Sequence, residues 1–189
     1  MDGSDAPDEV LLAAYGRGDP EAARELTRRL APRMLGFATR MLGGDRTEAE
    51  DVVQEGMLRL WRAAPGWRDG EAKVTSWLYP VISNLCTDRL RKRKRQGDWP
   101  EAEPEDGRPQ VEEVMGHAQR IEALDAALAT LPDRQRQAVI LRHIEGLSNP
   151  EIAEILEVGV EAVESLTARG KRALAAALAG RKEELGYGN

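Results

Sequence analysis

A chain of 189 residues that is 41% hydrophobic and 32% charged has material for one medium domain or two small ones. Aromatic residues are only 4% of it, and β-branched residues are sparse beside Ala, Leu, Glu and Arg, which excludes a large β-sheet and leaves an all-α fold. The net charge of −6 argues against a general nucleic-acid binder, and no stretch approaches the roughly 20 apolar residues of a membrane span. One cysteine (Cys86) and two histidines (His117, His143) offer neither an internal disulfide nor a credible metal site, so no cofactor is expected. The acidic start, Met1 to Glu9, lacks the basic and apolar segments of an export leader, and the expected location is the cytoplasm, without membrane insertion.

In chain order, Asp8 to Tyr15 reads as a short helix. Asp19-Pro20 then supplies an N-cap and a first-turn proline for a long helix that stops at Gly43-Gly44, with Pro32 as a kink or break. Thr47-Glu48-Ala49-Glu50 has capping-box spacing. The helix it opens buries Val52, Val53, Met57, Leu60 and Trp61 and turns Asp51, Gln54, Glu55, Arg59 and Arg62 outward. After the polar loop Gly66 to Lys73, Trp77, Leu78, Val81, Ile82 and Leu85 mark the buried side of another helix. It ends in Arg89 to Arg95, six cations within seven residues, which suits a phosphate backbone and equally suits a solubilising helix end. Trp67, Trp77 and Tyr79 lie just upstream, and aromatics beside cations are what single-stranded bases stack on; Trp77 reads better as core.

Charge then changes sign. Residues 66–95 hold eight basic and three acidic side chains, whereas 96–118 hold one and seven, so a basic block abuts an acidic one. The acidic block contains Pro100, Pro104, Pro109 and three glycines with almost no apolar periodicity, and reads as a flexible linker between two small helical domains, 1–95 and 119–189. Beyond it, Val114 to Ala129 is a helix with Ile121, Leu124, Ala127 and Leu128 inward. Pro132 opens another that carries Ala138, Val139, Leu141 and Ile144 and closes at Gly146. Ser148-Asn149-Pro150-Glu151 combines a capping box with proline and launches a short helix; Gly159 turns the chain into a longer one from Val160 to about Ala179. A short helix, a tight turn and a second helix make a helix-turn-helix, although helical hairpins without a DNA role share the pattern.

These residues resemble the extracytoplasmic-function sigma factors of the bacterial sigma-70 family over nearly the whole chain. Ala49 to Glu55 followed by Leu58-Arg59-Leu60-Trp61-Arg62 resembles the helix that docks on the polymerase clamp. Thr75 to Tyr79, with Asn84, Asp88 and Arg91 downstream, is similar to the segment that opens and reads the minus-ten element. Leu131-Pro132 with Arg136, Glu145-Gly146-Leu147-Ser148 and Glu151-Ile152-Ala153 resemble the domain that reads the minus-thirty-five element. There are two departures. Glu161-Ala162-Val163-Glu164-Ser165-Leu166 stands where the family often has Gly-Thr-Val-Lys-Ser-Arg, so two expected cations are missing, and Pro80 predicts a helix that begins late or bends.

The resemblance implies an initiation factor that is not an enzyme, is a monomer when free, and has core RNA polymerase, promoter DNA and an anti-sigma factor as partners. It places polymerase contacts at Asp51, Gln54, Glu55 and Arg59, and DNA contacts at Asn84, Asp88, Arg91, Arg95, Glu164, Ser165, Arg169, Lys171 and Arg172. Asn84, with loop residues Trp67 to Lys73, would receive an unstacked base, unless its amide bonds its own helix backbone. Glu164 would accept a hydrogen bond from a cytosine amino group, unless it only complements the helix dipole. The rival readings are an autonomous helix-turn-helix repressor with an N-terminal sensor domain, and a helical adaptor in which the Arg89 to Arg95 run is incidental. Cys86 is expected to be a small buried packing residue.

Overall fold

A computed structural model describes residues 6–68, 73–97 and 114–184, with side chains from 118 to 179 in the last stretch; among these residues the chain forms helices and no strand. Most of the acidic block, 98–113, and loop residues 69–72 lie outside the described residues. Helix α1 spans Asp8–Gly16 and α2 spans Pro20–Met41. The Asp19 carboxylate accepts the Glu21 N–H at 3.0 Å, and Pro20 occupies the first turn, where a missing N–H costs nothing. Pro32 leaves α2 helical on both sides, so the expected break does not occur; the helix ends before Gly43 and Gly44, whose φ values of 69° and 95° only glycine adopts readily.

Helix α3, Arg46–Ala63, starts ahead of its expected cap. Asp45, not Thr47, occupies the N-cap, with its carboxylate accepting the Glu48 N–H at 2.9 Å. A full negative charge at the positive helix end outcompetes a hydroxyl two residues later. A 3-10 turn, Ala64–Gly66, leads on to α4, Val74–Gln96. This helix begins six residues before Pro80 and continues through it, so the proline does not delay the start. The core of this unit stacks Leu26, Leu30, Met34 and Phe37 of α2 against Val52 and Leu60 of α3 and Leu78 and Ile82 of α4. Cys86 joins that core: burial, with the Glu48 charge added, pushes its thiol up to about 12, so it stays protonated at neutral pH.

The second unit comprises α5 (Val114–Ala129), α6 (Asp133–Val139), α7 (Asn149–Leu156) and α8 (Val160–Glu184). Two expectations fail here. The helix opened at Pro132 widens into a π-helical turn over Ile140–Ile144, where the Glu145 N–H donates to the Ile140 carbonyl at 3.0 Å. Ile121 and Ile144, expected inward, are 42% and 37% exposed, and α5 instead buries Asp125 beside Leu128 because it turns toward α2. The Ser148 cap forms as expected, with Ser148 and Glu151 reciprocally bonded. In the following turn it is Glu157, at φ 52°, and not Gly159 that takes the left-handed conformation.

Helix α8 crosses α6 closely at Gly170, where a Cβ would stand 2.6 Å from Val139 Cγ2 and 3.0 Å from the Gln135 carbonyl oxygen. Ala is favoured over Gly in a helix interior by about 1 kcal/mol, but forcing a methyl into a closed contact costs about 1–3 kcal/mol. Gly170→Ala is therefore expected to lower the melting temperature by several degrees, at about 2–4 °C per kcal/mol for a chain of this size, read by circular dichroism. An unchanged or higher melting point would mean that α6 and α8 separate without cost.

The two units pack against each other: α2 touches α5 and α6, and α4 touches α7. The buried Arg136 side chain joins them. Its Nε donates to the Leu128 carbonyl at 2.9 Å and its terminal nitrogens to Ala129 at 2.7 Å and Leu131 at 3.1 Å, closing the end of α5; another bond of 2.6 Å reaches Met41 at the end of α2. A cation at two helix C-termini satisfies carbonyls that have no intrahelical partner.

Candidate nucleic-acid interface

Three surfaces carry the side chains that the sequence singles out. On α3, Asp51, Gln54, Arg59 and Arg62 are exposed, and Glu55 is half-buried, accepting from Arg59 Nε at 2.9 Å. Leu58, 43% exposed, lies on this same face. An apolar side chain ringed by exposed polar ones is the pattern of a protein-binding surface, and sequence periodicity misses it because Leu58 sits between buried Met57 and Leu60.

On α4, Asn84, Asp88, Arg91 and Arg95 are all exposed, with Arg91 3.9 Å from Asp88. Among the described residues the Asn84 amide makes no bond to its own helix backbone. The basic run is split by α3. Arg93 pairs with Asp45 and Glu48, and Arg89 lies 3.7 Å from Glu48, so these two cations tie α4 to the start of α3. Arg91, Lys92 and Arg95 remain on the solvent side. Tyr79, grouped by sequence with base-stacking aromatics, is instead fully buried. Its ring meets Phe37 edge to face at 5.1 Å, and its hydroxyl donates to Glu145 at 2.6 Å. Trp67 and Trp77 pack edge to face at 6.3 Å, both half-buried.

On the helix-turn-helix, Glu161 and Glu164 are exposed in the first turns of α8, with Glu164 Oε1 3.5 Å from the Asn149 amide nitrogen. Arg169 donates to the half-buried Ser165 hydroxyl at 2.6 Å, while Lys171 and Arg172 are exposed. The π-helical turn adds two basic groups that the sequence motifs do not include. Arg142 donates to the Leu147 carbonyl at 2.9 Å, and His143 lies within reach of the charges of both Arg142 and Lys171. Burial, together with the Lys171 and Arg142 charges, holds His143 below its usual value. Only the turn geometry reveals this grouping, because 28 residues separate His143 from Lys171 in sequence.

Glu151 works twice, as the capping-box carboxylate of α7 and as partner of Lys73 at 2.7 Å. The Lys73 ammonium, then the Ser148 N–H and hydroxyl, hold its carboxyl down from 4.5 to about 2. A carboxylate with a depressed folded value stabilises the fold above its unfolded value and loses that contribution as pH falls through the folded one. The melting-temperature difference between the parent and Glu151→Gln is thus expected to be full above about pH 4.5 and to vanish toward pH 2. A difference independent of pH would remove the ionised form from this role.

Two family models match the chain: Sigma-70 region 2 over residues 26–96 and Sigma-70, region 4 over residues 121–174. Together they span both helical units and define a transcription initiation factor of the sigma-70 type, not an enzyme. The ECF RNA polymerase sigma factor SigM of Mycobacterium tuberculosis is 36% identical over 168 residues, covering 89% of this chain and 83% of that protein. SigW of Bacillus subtilis, also an ECF RNA polymerase sigma factor, is 29% identical over 171 residues, covering 84% and 89%. Among solved structures, CnrH in complex with the cytosolic domain of CnrY aligns with a TM-score of 0.69 at 27% identity, covering 92% of this chain and 97% of that one. RpoE of Bartonella quintana, solved with the anti-sigma factor NepR, shares the fold at a TM-score of 0.63 and 22% identity, covering 82% and 95%. The chain belongs to the ECF sigma factors.

Proposed function

We propose that this chain binds core RNA polymerase through the polar face of α3 and directs it to promoters with two elements. In this reading the unit 1–95 takes the minus-ten element as a melted single strand, 119–189 takes the minus-thirty-five element as duplex, and 96–118 is the linker. The observation that carries it is the face formed by Asp51, Gln54, Glu55, Leu58 and Arg59, which stays open while Ala49, Val52, Val53, Gly56, Met57 and Leu60 of α3 are buried. Asn84, exposed on α4, is suited to hydrogen-bond a base edge, and Asp88, Arg91 and Arg95 lie along the same helix. Cations on that helix contact phosphates whatever the sequence. On α8, Glu164 and Ser165 are suited to read bases, and Arg169, Lys171 and Arg172 to hold the duplex backbone. The protein works where polymerase does, in the cytoplasm, as a monomer when free. Since CnrH and RpoE were each solved with a partner, the latter an anti-sigma factor, an inhibitory partner of that kind is part of the reading.

The test compares variants in polymerase-dependent promoter opening. Asn84→Ala is expected to alter preference at one minus-ten position, and Glu164→Gln at one upstream position, where a good base contact discriminates by about 1–3 kcal/mol. Arg91→Ala and Arg169→Ala are expected to weaken all promoters alike and lower the salt dependence. Were Glu164→Gln to raise affinity uniformly, Glu164 would be a surface acid near phosphates, and reading would pass to Ser165.

A further inference from the structure

His143 belongs to none of the sequence motifs, yet two cations bear on its ring: Arg142 on the same π-helical turn and Lys171 on α8. All three side chains are exposed. The crossing of α6 and α8 accounts for the grouping. Gly170 closes on Val139 and the Gln135 carbonyl, so the next residue of α8, Lys171, comes alongside the turn that begins one residue after Val139. The acids on the surrounding elements are engaged elsewhere. Asp133 of α6 stands 3.8 Å from Arg136, Glu145 accepts from Tyr79 and Arg33, and Glu151 and Glu154 of α7 act on Lys73. On α8, Glu161 and Glu164 precede Lys171 by about two turns or more. Basic groups gathered without a carboxylate among them repel one another, and an anion set between them removes that cost.

The position says which anion fits. Arg142 donates to the Leu147 carbonyl at 2.9 Å, immediately before the Ser148 cap of α7. That bond uses one of the five N–H donors of a guanidinium and leaves others free to turn outward. Helix α7 is the first helix of the helix-turn-helix, the one that crosses the backbone of a bound duplex. The first turns of α8, by contrast, present Glu161 and Glu164, which repel phosphates and leave the backbone to be held from elsewhere on the unit.

On the reading that α7 and α8 dock on duplex DNA, we infer that Arg142, His143 and Lys171 grip the phosphate backbone of the duplex, and that His143 makes this grip depend on a proton. In the free chain, burial and then the Lys171 and Arg142 charges favour the neutral ring. A phosphate in contact favours the imidazolium, so the bound state takes up a proton. By linkage, the affinity gain is present below the bound-state value of the ring and is lost as pH rises through it.

The full chain and its His143→Gln, His143→Lys and Arg169→Ala variants are compared by fluorescence anisotropy on a labelled mixed-sequence duplex of about 30 base pairs, without polymerase. Binding is measured at about pH 7.5 and about pH 6.0, from about 50 to about 200 mM salt. His117 is the other histidine of the chain, and His117→Gln is the control. Lowering the pH is expected to tighten binding by the parent and by His117→Gln about 3- to 5-fold more than it tightens binding by His143→Gln. The dependence of log affinity on log salt should steepen in the parent by up to about 0.9, the value of one further phosphate contact. His143→Lys, charged at both pH values, is expected to bind at the higher pH as the parent binds at the lower. Circular dichroism checks that these exposed substitutions leave the fold intact; should His143→Gln lose helicity, His143→Lys decides. A pH response equal in the parent and His143→Gln, a response that His117→Gln abolishes, or a His143→Lys no tighter than the parent at the higher pH would overturn the proton-linked grip. Arg169→Ala separates the two failures. It is expected to weaken binding at both pH values, so a silent His143 beside an active Arg169 leaves the docking reading standing. If the parent binds no duplex even at the lowest salt, or if neither position matters, the docking reading fails as well.

Discussion

Replacing Asp51 and Gln54 together by alanine is expected to reduce capture of core polymerase at least tenfold while shifting the melting temperature by less than about 2 °C. Both side chains are exposed on α3, and substitutions at such positions usually change stability by less than about 0.5 kcal/mol. A tenfold loss of binding is about 1.4 kcal/mol, within reach of two polar groups at the middle of an interface. Leu58→Ala should act in the same direction, since Leu58 supplies the apolar centre of that face. Capture is read by pull-down or fluorescence anisotropy at physiological salt, and stability by circular dichroism. Unchanged capture in all of these variants would remove the face from the interface.

Arg136→Ala is expected to have the opposite profile, a severe loss of stability with binding lost only as a consequence. Four backbone carbonyls accept from the Arg136 guanidinium, three around the end of α5 and one at the end of α2. Its side chain is only 4% exposed, so truncation leaves those carbonyls without a donor and with little access to water. Burial lowers the affinity of this guanidinium for its proton, but an arginine remains charged even so. Breaking a buried charged network typically costs about 3–5 kcal/mol, or about 6–20 °C in melting temperature for a chain of this size. Arg136→Lys should recover part of the loss, because an ammonium restores a charge but cannot reach four acceptors in a plane. A melting shift of only a degree or two for Arg136→Ala would mean that the two helix ends are satisfied in another way.

Helix starts are the most legible part of the sequence, since caps are local chemistry. Asp19-Pro20 and Ser148 with Glu151 act as their spacing predicts. Thr47 fails as a cap because a stronger acceptor, Asp45, stands two residues earlier. The exposed face of α3 follows from periodicity, which reports the side of a helix that is buried. What periodicity cannot report is the element that does the burying. Ile121 has the spacing of a core residue and is exposed, while Asp125 is buried because α5 turns toward α2. The same limit hides the fate of the basic run: six cations look alike in sequence, but Arg89 and Arg93 are drawn to Glu48, and to Asp45 for Arg93, on a different helix. Tyr79 and Glu145 each sit in a legible segment, and nothing local links residues 66 positions apart. The π-helical turn over Ile140–Ile144 leaves no mark in the sequence pattern either, although it places His143 near Lys171.

The most direct measurement of the central claim adds the purified chain to core RNA polymerase and a library of randomised promoters, then sequences the transcripts. Initiation is expected only when the chain is present. Its start sites should lie downstream of two enriched sequence blocks at fixed spacing, and the enriched positions should respond to Asn84→Ala in the nearer block and to Glu164→Gln in the farther one. Transcription that is no greater or more selective than with core polymerase alone would contradict the claim. So would nanomolar sequence-specific binding of duplex DNA by the chain by itself at physiological salt, which is the behaviour of an autonomous repressor.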